Sequence, residues 1–181
     1  MLFRSKMAVG MRDESRFLSG DEIKPPTPKL VIGATASPFT KPMEADLRKT
    51  FDKIAAGAEF IQTQPVFDLA TFSRWLVEVR RGAPRDVPII AGVLILRSAE
   101  QAERLSKVPG VAFGPEIIGR MKQATEPEAE GIAIAVEMVK ELRALPGVRG
   151  VHLYAIEWPE AVGRVVDAAG LLPRPEAKVL V

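Results

Sequence analysis

The stretch AEFIQTQPVFD, residues 58–68, decides how the chain is read. Phe60 to Thr63 read as a short strand followed by Gln64, Pro65 has no N–H to give a ladder, and Asp68 stands where a helix wants its N-cap. The expectation is a buried strand over residues 60–63 that delivers the Gln64 carboxamide at its C-terminal end. In parallel α/β sheets that end is where ligands bind and chemistry is done.

Three further runs have the same character: KLVIGAT at 29–35, IIAGVLIL at 89–96 and GVHLYAI at 150–156. Each is short, apolar along its length and bounded by turn residues, which predicts fully buried strands. Helical spacing fills the intervals. Met43, Leu47, Phe51, Ile54 and Ala55 recur on one face of residues 43–57, with Glu44 and Asp46 near the positive end of the dipole and Gly57 as the stop. Leu69, Phe72, Trp75, Leu76 and Val79 do the same over 68–81. Ser98 and Gln101 make a capping-box pattern for a helix over 100–106, and two more helices are expected over 115–124 and 126–145, with a minor extended piece at 110–113 between. A last helix is expected over 159–169, and residues 6–17 are compatible with another at the start. Strand and helix alternate, as in parallel βαβ units with helices over the sheet. Doubly wound sheets and (β/α)8 barrels both produce this pattern, and periodicity does not separate them.

At 181 residues and 47% hydrophobic content, the chain can bury a core of its own. The 25 basic and 23 acidic residues are interleaved, so no basic stripe suited to nucleic acid forms. There is no cysteine and only one histidine, His152, which argues against thiolate and histidine metal sites; no metal is expected. The start, MLFRSKMAVG, lacks the apolar core of a signal peptide, and no run is long enough to span a membrane, so a cytoplasmic location is expected. No phosphate-binding GxGxxG or GxxxxGK[ST] loop and no GxSxG elbow occurs. His152, amid apolar residues, reads as a core histidine, and Phe72 and Trp75 read as core aromatics.

A set of residues taken together carries more. Glu44-Ala-Asp46-Leu47, the Ala56-Gly57-Ala58 turn, Gln62-Thr63-Gln64-Pro65-Val66-Phe67-Asp68, Val87-Pro88-Ile89 with Ala91-Gly92-Val93, Gly150-Val151-His152-Leu153-Tyr154 and Gly170-Leu171-Leu172-Pro173 follow one another over residues 17–175 in an order and spacing that resemble the methylenetetrahydrofolate reductase family. The resemblance implies a (β/α)8 TIM-type barrel of which this chain carries the second half, about four parallel βα units; whole barrels of this kind run to about 250 residues. It divides the chain into an N-terminal helix and linker at 1–28, a half barrel at 29–175 and a tail at 176–181.

The same resemblance implies an oxidoreductase that reduces 5,10-methylenetetrahydrofolate to the 5-methyl form with NAD(P)H through FAD. Gln64 falls on the family glutamine whose amide meets the pterin ring of folate. Asp46 and Lys53 fall on positions that hold the flavin dinucleotide, the lysine near its phosphates; seven residues apart, they share a helix face. No residue of this chain matches the family's catalytic acid. The aromatic and histidine residues that many members set against flavin after the fifth strand are replaced by TASPF at 35–39, Ile95 stands at a usual proline, and Glu157-Trp158 stand where many members have an Asn-Arg pair. A half barrel has two open sheet edges, so a homo-oligomer or a complementary N-terminal half-barrel chain is the expected partner, with folate as substrate. The alternative is a non-catalytic folate- or partner-binding subunit on the same scaffold.

Overall fold

The computed structural model describes residues 2–108 and 110–173. In chain order these form α1 (Leu2–Asp13), β1 (Gly33–Ala36), α2 (Met43–Ala55), β2 (Phe60–Pro65), α3 (Leu69–Gly82), β3 (Ile89–Leu94), α4 (Ala99–Leu105), α5 (Pro115–Gln123), α6 (Pro127–Ala144), β4 (Val148–Tyr154) and α7 (Glu160–Ala168). All strand pairs are parallel, and the sheet order is β1-β2-β3-β4. A doubly wound sheet reverses its winding and sets a later strand beside the first. Here each strand pairs with its successor, so the order decides for the winding of a (β/α)8 barrel, carried through four strands. Among the described residues β1 and β4 each have one strand neighbour.

The two faces of the sheet differ. Ala36, Ile61, Ile89, Ala91 and Val93 pack with Phe72, Trp75, Leu76 and Val79 of α3 and with Ala135, Met138, Val139 and Leu142 of α6 in one apolar core. A second cluster brings Ala102 of α4, Ile117 and Met121 of α5 and Ile134 of α6 around Leu94 and Leu96 at the end of β3, with Phe67 beside them. On the opposite face Thr35, Gln62, Ile90 and Gly150 share one cross-strand row, and none of the four is buried. The outer strands therefore depart from the expected burial along their whole length. β1 is shorter than the apolar run that announced it, with Val31 left 76% exposed ahead of it, and no residue of β4 is fully buried. Apolar sequence predicts burial only where neighbours exist on both flanks, and each outer strand has one.

Smaller differences have local causes. The first helix ends at Asp13, and the chain then makes an isolated antiparallel bridge between Arg16 and Glu22. Residues 110–113 form no strand. Arg12 ties α1 to the sheet, bonding Glu59 at 2.6 Å and the Leu30 carbonyl at 3.2 Å. Gly57 closes α2 with φ of +102°, a conformation that side chains resist. Gln101 reaches back to the Arg97 N–H at 2.8 Å while Ser98 accepts from the Gln101 N–H at 3.2 Å, so the capping pair forms one residue wider than the usual box. The tail at 176–181 lies outside the described residues. None of the described helices is long and apolar enough to cross a membrane.

Asp68 caps α3 as its position in the sequence foretells. Its carboxylate accepts from the Thr71 N–H at 2.9 Å and the Thr71 hydroxyl at 2.6 Å. The Thr71 hydroxyl and then the backbone N–H groups of the first turn hold this carboxyl below the usual aspartate range. A depressed folded-state pKa contributes stability above the unfolded pKa and loses it as pH falls through the folded value. Asp68→Ala is therefore expected to cost about 1 kcal/mol at neutral pH. The gap to the wild type should narrow in urea titrations run below about pH 4, where carboxylates take up protons.

Candidate functional site

The C-terminal end of β2 holds the most specific geometry in the chain. The β2–β3 register slips between Gln62 and Pro65: Gln62 pairs with Ile90 and Pro65 with Gly92, so Thr63 and Gln64 together face Ala91. This is a β-bulge, a device that re-aims a side chain at a strand end. Side-chain chemistry replaces the lost ladder bond, because the Gly92 N–H donates to the Thr63 hydroxyl at 3.0 Å and that hydroxyl donates to the Gln64 carbonyl at 2.9 Å. Tyr154 of β4 donates its phenol to the Thr63 carbonyl at 3.1 Å. The strand consequently runs on through Pro65, where a stop at Thr63 was expected, and the Val66 N–H returns to the Gly92 carbonyl at 2.9 Å.

Gly92 is required by this arrangement. A Cβ there would stand 2.6 Å from the Thr63 carbonyl oxygen and 2.9 Å from the Gln64 carbonyl carbon and oxygen. The sequence holds two signals for the bulge: a glycine inside an apolar strand, which marks close backbone approach, and the chain's single tyrosine. Gln64 itself is half-buried, and no hydrogen bond joins its carboxamide to another described residue. An amide so placed offers a donor and an acceptor to a heterocycle edge without adding charge.

Asp46 and Lys53 are brought together, but inward. Asp46 is 4% exposed, and its carboxylate accepts from the Ser37 N–H at 2.9 Å, the Trp75 indole N–H at 2.9 Å and the Thr50 hydroxyl at 3.4 Å. Lys53 is 6% exposed and donates to the Thr35 carbonyl on β1. Burial pulls its ammonium below the ordinary lysine value, nearby Asp46 opposes that shift, and Lys49 adds to it. Both groups thus fasten the end of β1 and the loop after it to α2 and α3.

Other sequence candidates sit near the same sheet end. His152 is half-buried, with its ring meeting the edge of Tyr154 at a centroid distance of 4.4 Å. Phe72 and Trp75 are fully buried and stacked 5.8 Å apart, as core aromatics should be. Trp158 is 7% exposed, with the Arg97 and Arg164 guanidinium groups 5.7 and 6.0 Å from its ring centroid. Glu157 before it adopts φ of +55°, uncommon for a residue with a side chain. Two clefts open here: one of about 390 Å³ between Arg97, Ser98, Gln101, Arg104, Glu128, Ile156 and Glu157, and one of about 310 Å³ lined by Phe67, Asp68, Leu69, Ala112, Phe113, Gly114 and Glu116. Among the described residues no cluster of three histidine or acidic side chains could hold a metal ion.

Sequentially wound parallel strands with helices packed against the sheet define a TIM-barrel-type α/β protein. The profile of the methylenetetrahydrofolate reductase family matches residues 31–170, and the chain belongs to that family. It is 30% identical to 5,10-methylenetetrahydrofolate reductase of Escherichia coli over 141 residues, 75% of this chain and 47% of that protein. It is 26% identical to methylenetetrahydrofolate reductase 1 of Schizosaccharomyces pombe over 132 residues, 71% of this chain and 22% of that one. The chain therefore spans less than half the length of these relatives. Among solved structures it resembles an uncharacterised Clostridium thermocellum protein that binds two copies of 5-methyl-5,6,7,8-tetrahydrofolic acid. The TM-score is 0.57 at 16% identity, covering 77% of this chain and 52% of that one, a likeness of fold.

Proposed function

We propose that the chain supplies one wall of a cytoplasmic methylenetetrahydrofolate reductase, with Gln64 hydrogen-bonding the pterin edge of the folate. The observation that carries this reading is the carboxamide of half-buried Gln64, without a bond to another described residue, on a strand end held from β3 through the Gly92 N–H and from β4 through the Tyr154 phenol. Family membership supports the same reading. Gln64 would select a neutral ring with alternating donors and acceptors and orient it, because a carboxamide can satisfy both kinds of group at once.

FAD, when bound in the assembled enzyme, would relay a hydride from NAD(P)H to the methylene carbon of the substrate. The residues of this chain alone do not fit that cofactor as they stand. Asp46 already accepts three hydrogen bonds and Lys53 is buried against β1, so neither faces a dinucleotide. Their part in a flavin site would be to fix the backbone at Thr35 and Ser37, and no chemical step is assigned to them. The complete site would be formed with a partner that closes β1 and β4, either a second copy or a separate chain bearing the other strands. Closing those edges would give each outer strand a second strand neighbour.

A second reading, a folate-binding subunit without catalysis, is favoured by the sequence, in which no residue matches the family's catalytic acid. Calorimetric titration with 5-methyltetrahydrofolate, with particle mass and flavin absorbance followed in the same samples, separates the readings. Binding weakened about tenfold by Gln64→Ala, an amount in keeping with a lost pair of neutral hydrogen bonds, supports the folate site. Flavin retention in the assembled species supports the reductase, folate binding without it supports the subunit, and no folate binding in any assembly state rejects both.

A further inference from the structure

Gln64 sits between two peptide planes, and a different side chain holds each. The plane before it ends in the Thr63 carbonyl, which accepts the Tyr154 phenol at 3.1 Å; the plane after it ends in the Gln64 carbonyl, which accepts the Thr63 hydroxyl at 2.9 Å. Fixing both planes fixes φ and ψ at Gln64, and with them the direction in which its side chain leaves the backbone. A bulge without such support is free to rock, because its extra residue has lost its ladder partner.

The tyrosine reaches β2 from β4, past the strand between them. Gly92 makes this reach possible: a Cβ there would lie 2.6 Å from the Thr63 carbonyl oxygen, the atom the phenol bonds. The ring cannot easily turn away, because Tyr154 packs against the cluster around Leu94 and Leu96 on one side and meets the His152 ring at 4.4 Å on the other. We propose that Tyr154 is a positioning residue: through the Thr63 carbonyl it holds the Gln64 carboxamide in the orientation that reads the pterin edge. The last step rests on the folate reading of Gln64 given above; the mechanical coupling of Tyr154 to Gln64 does not.

Two measurements on the full chain test it. In proton–nitrogen correlation spectra, Tyr154→Phe should shift or broaden the backbone and carboxamide signals of Gln64 while those of Gln101 and Gln123, on α4 and α5, stay in place. Thr63→Val should do the same from the other peptide plane, and Thr63→Ser, which keeps the hydroxyl, should restore the wild-type signals. Unmoved Gln64 signals in Tyr154→Phe overturn the proposal. In titrations with 5-methyltetrahydrofolate, Tyr154→Phe should weaken binding about three- to tenfold, the worth of one neutral hydrogen bond. That loss should vanish in a Gln64→Ala background, because both changes act on one contact. Additive losses would instead mean that the phenol acts on the ligand by another route, which also overturns it. If the wild type binds no folate, the site reading fails while the spectra still decide the coupling. If Tyr154→Phe does not fold, the Thr63 pair decides it.

Discussion

Asp46→Ala is expected to lower the unfolding free energy by about 3 kcal/mol, in protein that has never met a flavin. The carboxylate is 4% exposed and joins three elements: the Ser37 N–H after β1, the Thr50 hydroxyl on its own helix and the Trp75 indole on α3. Removing it leaves the buried Trp75 indole N–H and the half-buried Ser37 N–H without an acceptor, at roughly 1 to 3 kcal/mol for a buried donor and less for the other, and opens a small void beside Trp75. It also takes the nearest opposing charge from the buried Lys53 ammonium, whose pKa is already depressed by desolvation. In a domain of this size the loss corresponds to a drop in melting temperature of roughly 10 °C. A group whose only duty was to touch a cofactor would leave the melting temperature of the free protein unchanged, so the thermal scan separates the two roles. Asp46→Asn should recover part of the loss, since its carbonyl oxygen can still accept from Ser37 while its amide nitrogen cannot accept from Trp75.

Gly92→Ala is expected to be as damaging and to strike ligand binding as well. The added methyl would meet the Thr63 carbonyl oxygen at 2.6 Å and the Gln64 carbonyl at 2.9 Å, and these are main-chain atoms that no rotamer change can move. Overpacking a core against side chains costs about 1 to 3 kcal/mol, and against backbone the upper end applies. β2 must shift away from β3 to relieve the contact, stretching the Gly92–Thr63 hydrogen bond of 3.0 Å. The outcome to look for is a lower urea midpoint together with loss of 5-methyltetrahydrofolate binding. Gly163→Ala serves as the contrast, because a Cβ at that helical position meets nothing within 4 Å. Its stability should match or slightly exceed the wild type, since alanine is the better helix former.

Much of the architecture could be read from the chain because its signals are local. Asp68 caps α3, Leu69 to Val79 set one helix face, and Ile89 to Leu94 form a buried central strand, each decided by residues within a few positions of one another. The sequential strand order could not be derived from periodicity, because two windings share one pattern of elements; the family resemblance supplied it and the sheet order bears it out. The burial of β1 and β4 was overestimated because it depends on flanking strands, a property of the assembly around a segment and not of the segment. At the site, Gln64 was legible as a strand-end amide, whereas its supports were not. Tyr154 lies 91 residues from Thr63 along the chain, and Gly92 acts by lacking a side chain. Asp46 and Lys53 were legible as a shared helix face, but the direction of that face, inward to Ser37 and Thr35, required the packed structure.

The two tryptophans give the molecule a pair of built-in optical gauges. Trp75, sealed in the seam between α2 and α3 with its indole N–H on a carboxylate, answers only when that seam parts. Trp158 sits under two guanidinium groups beside the strand ends, where its emission would respond to a ligand that moves Arg97 in the neighbouring cleft. Single-tryptophan versions of the chain would therefore follow loss of fold and arrival of a ligand as separate colours of one experiment, with no label attached.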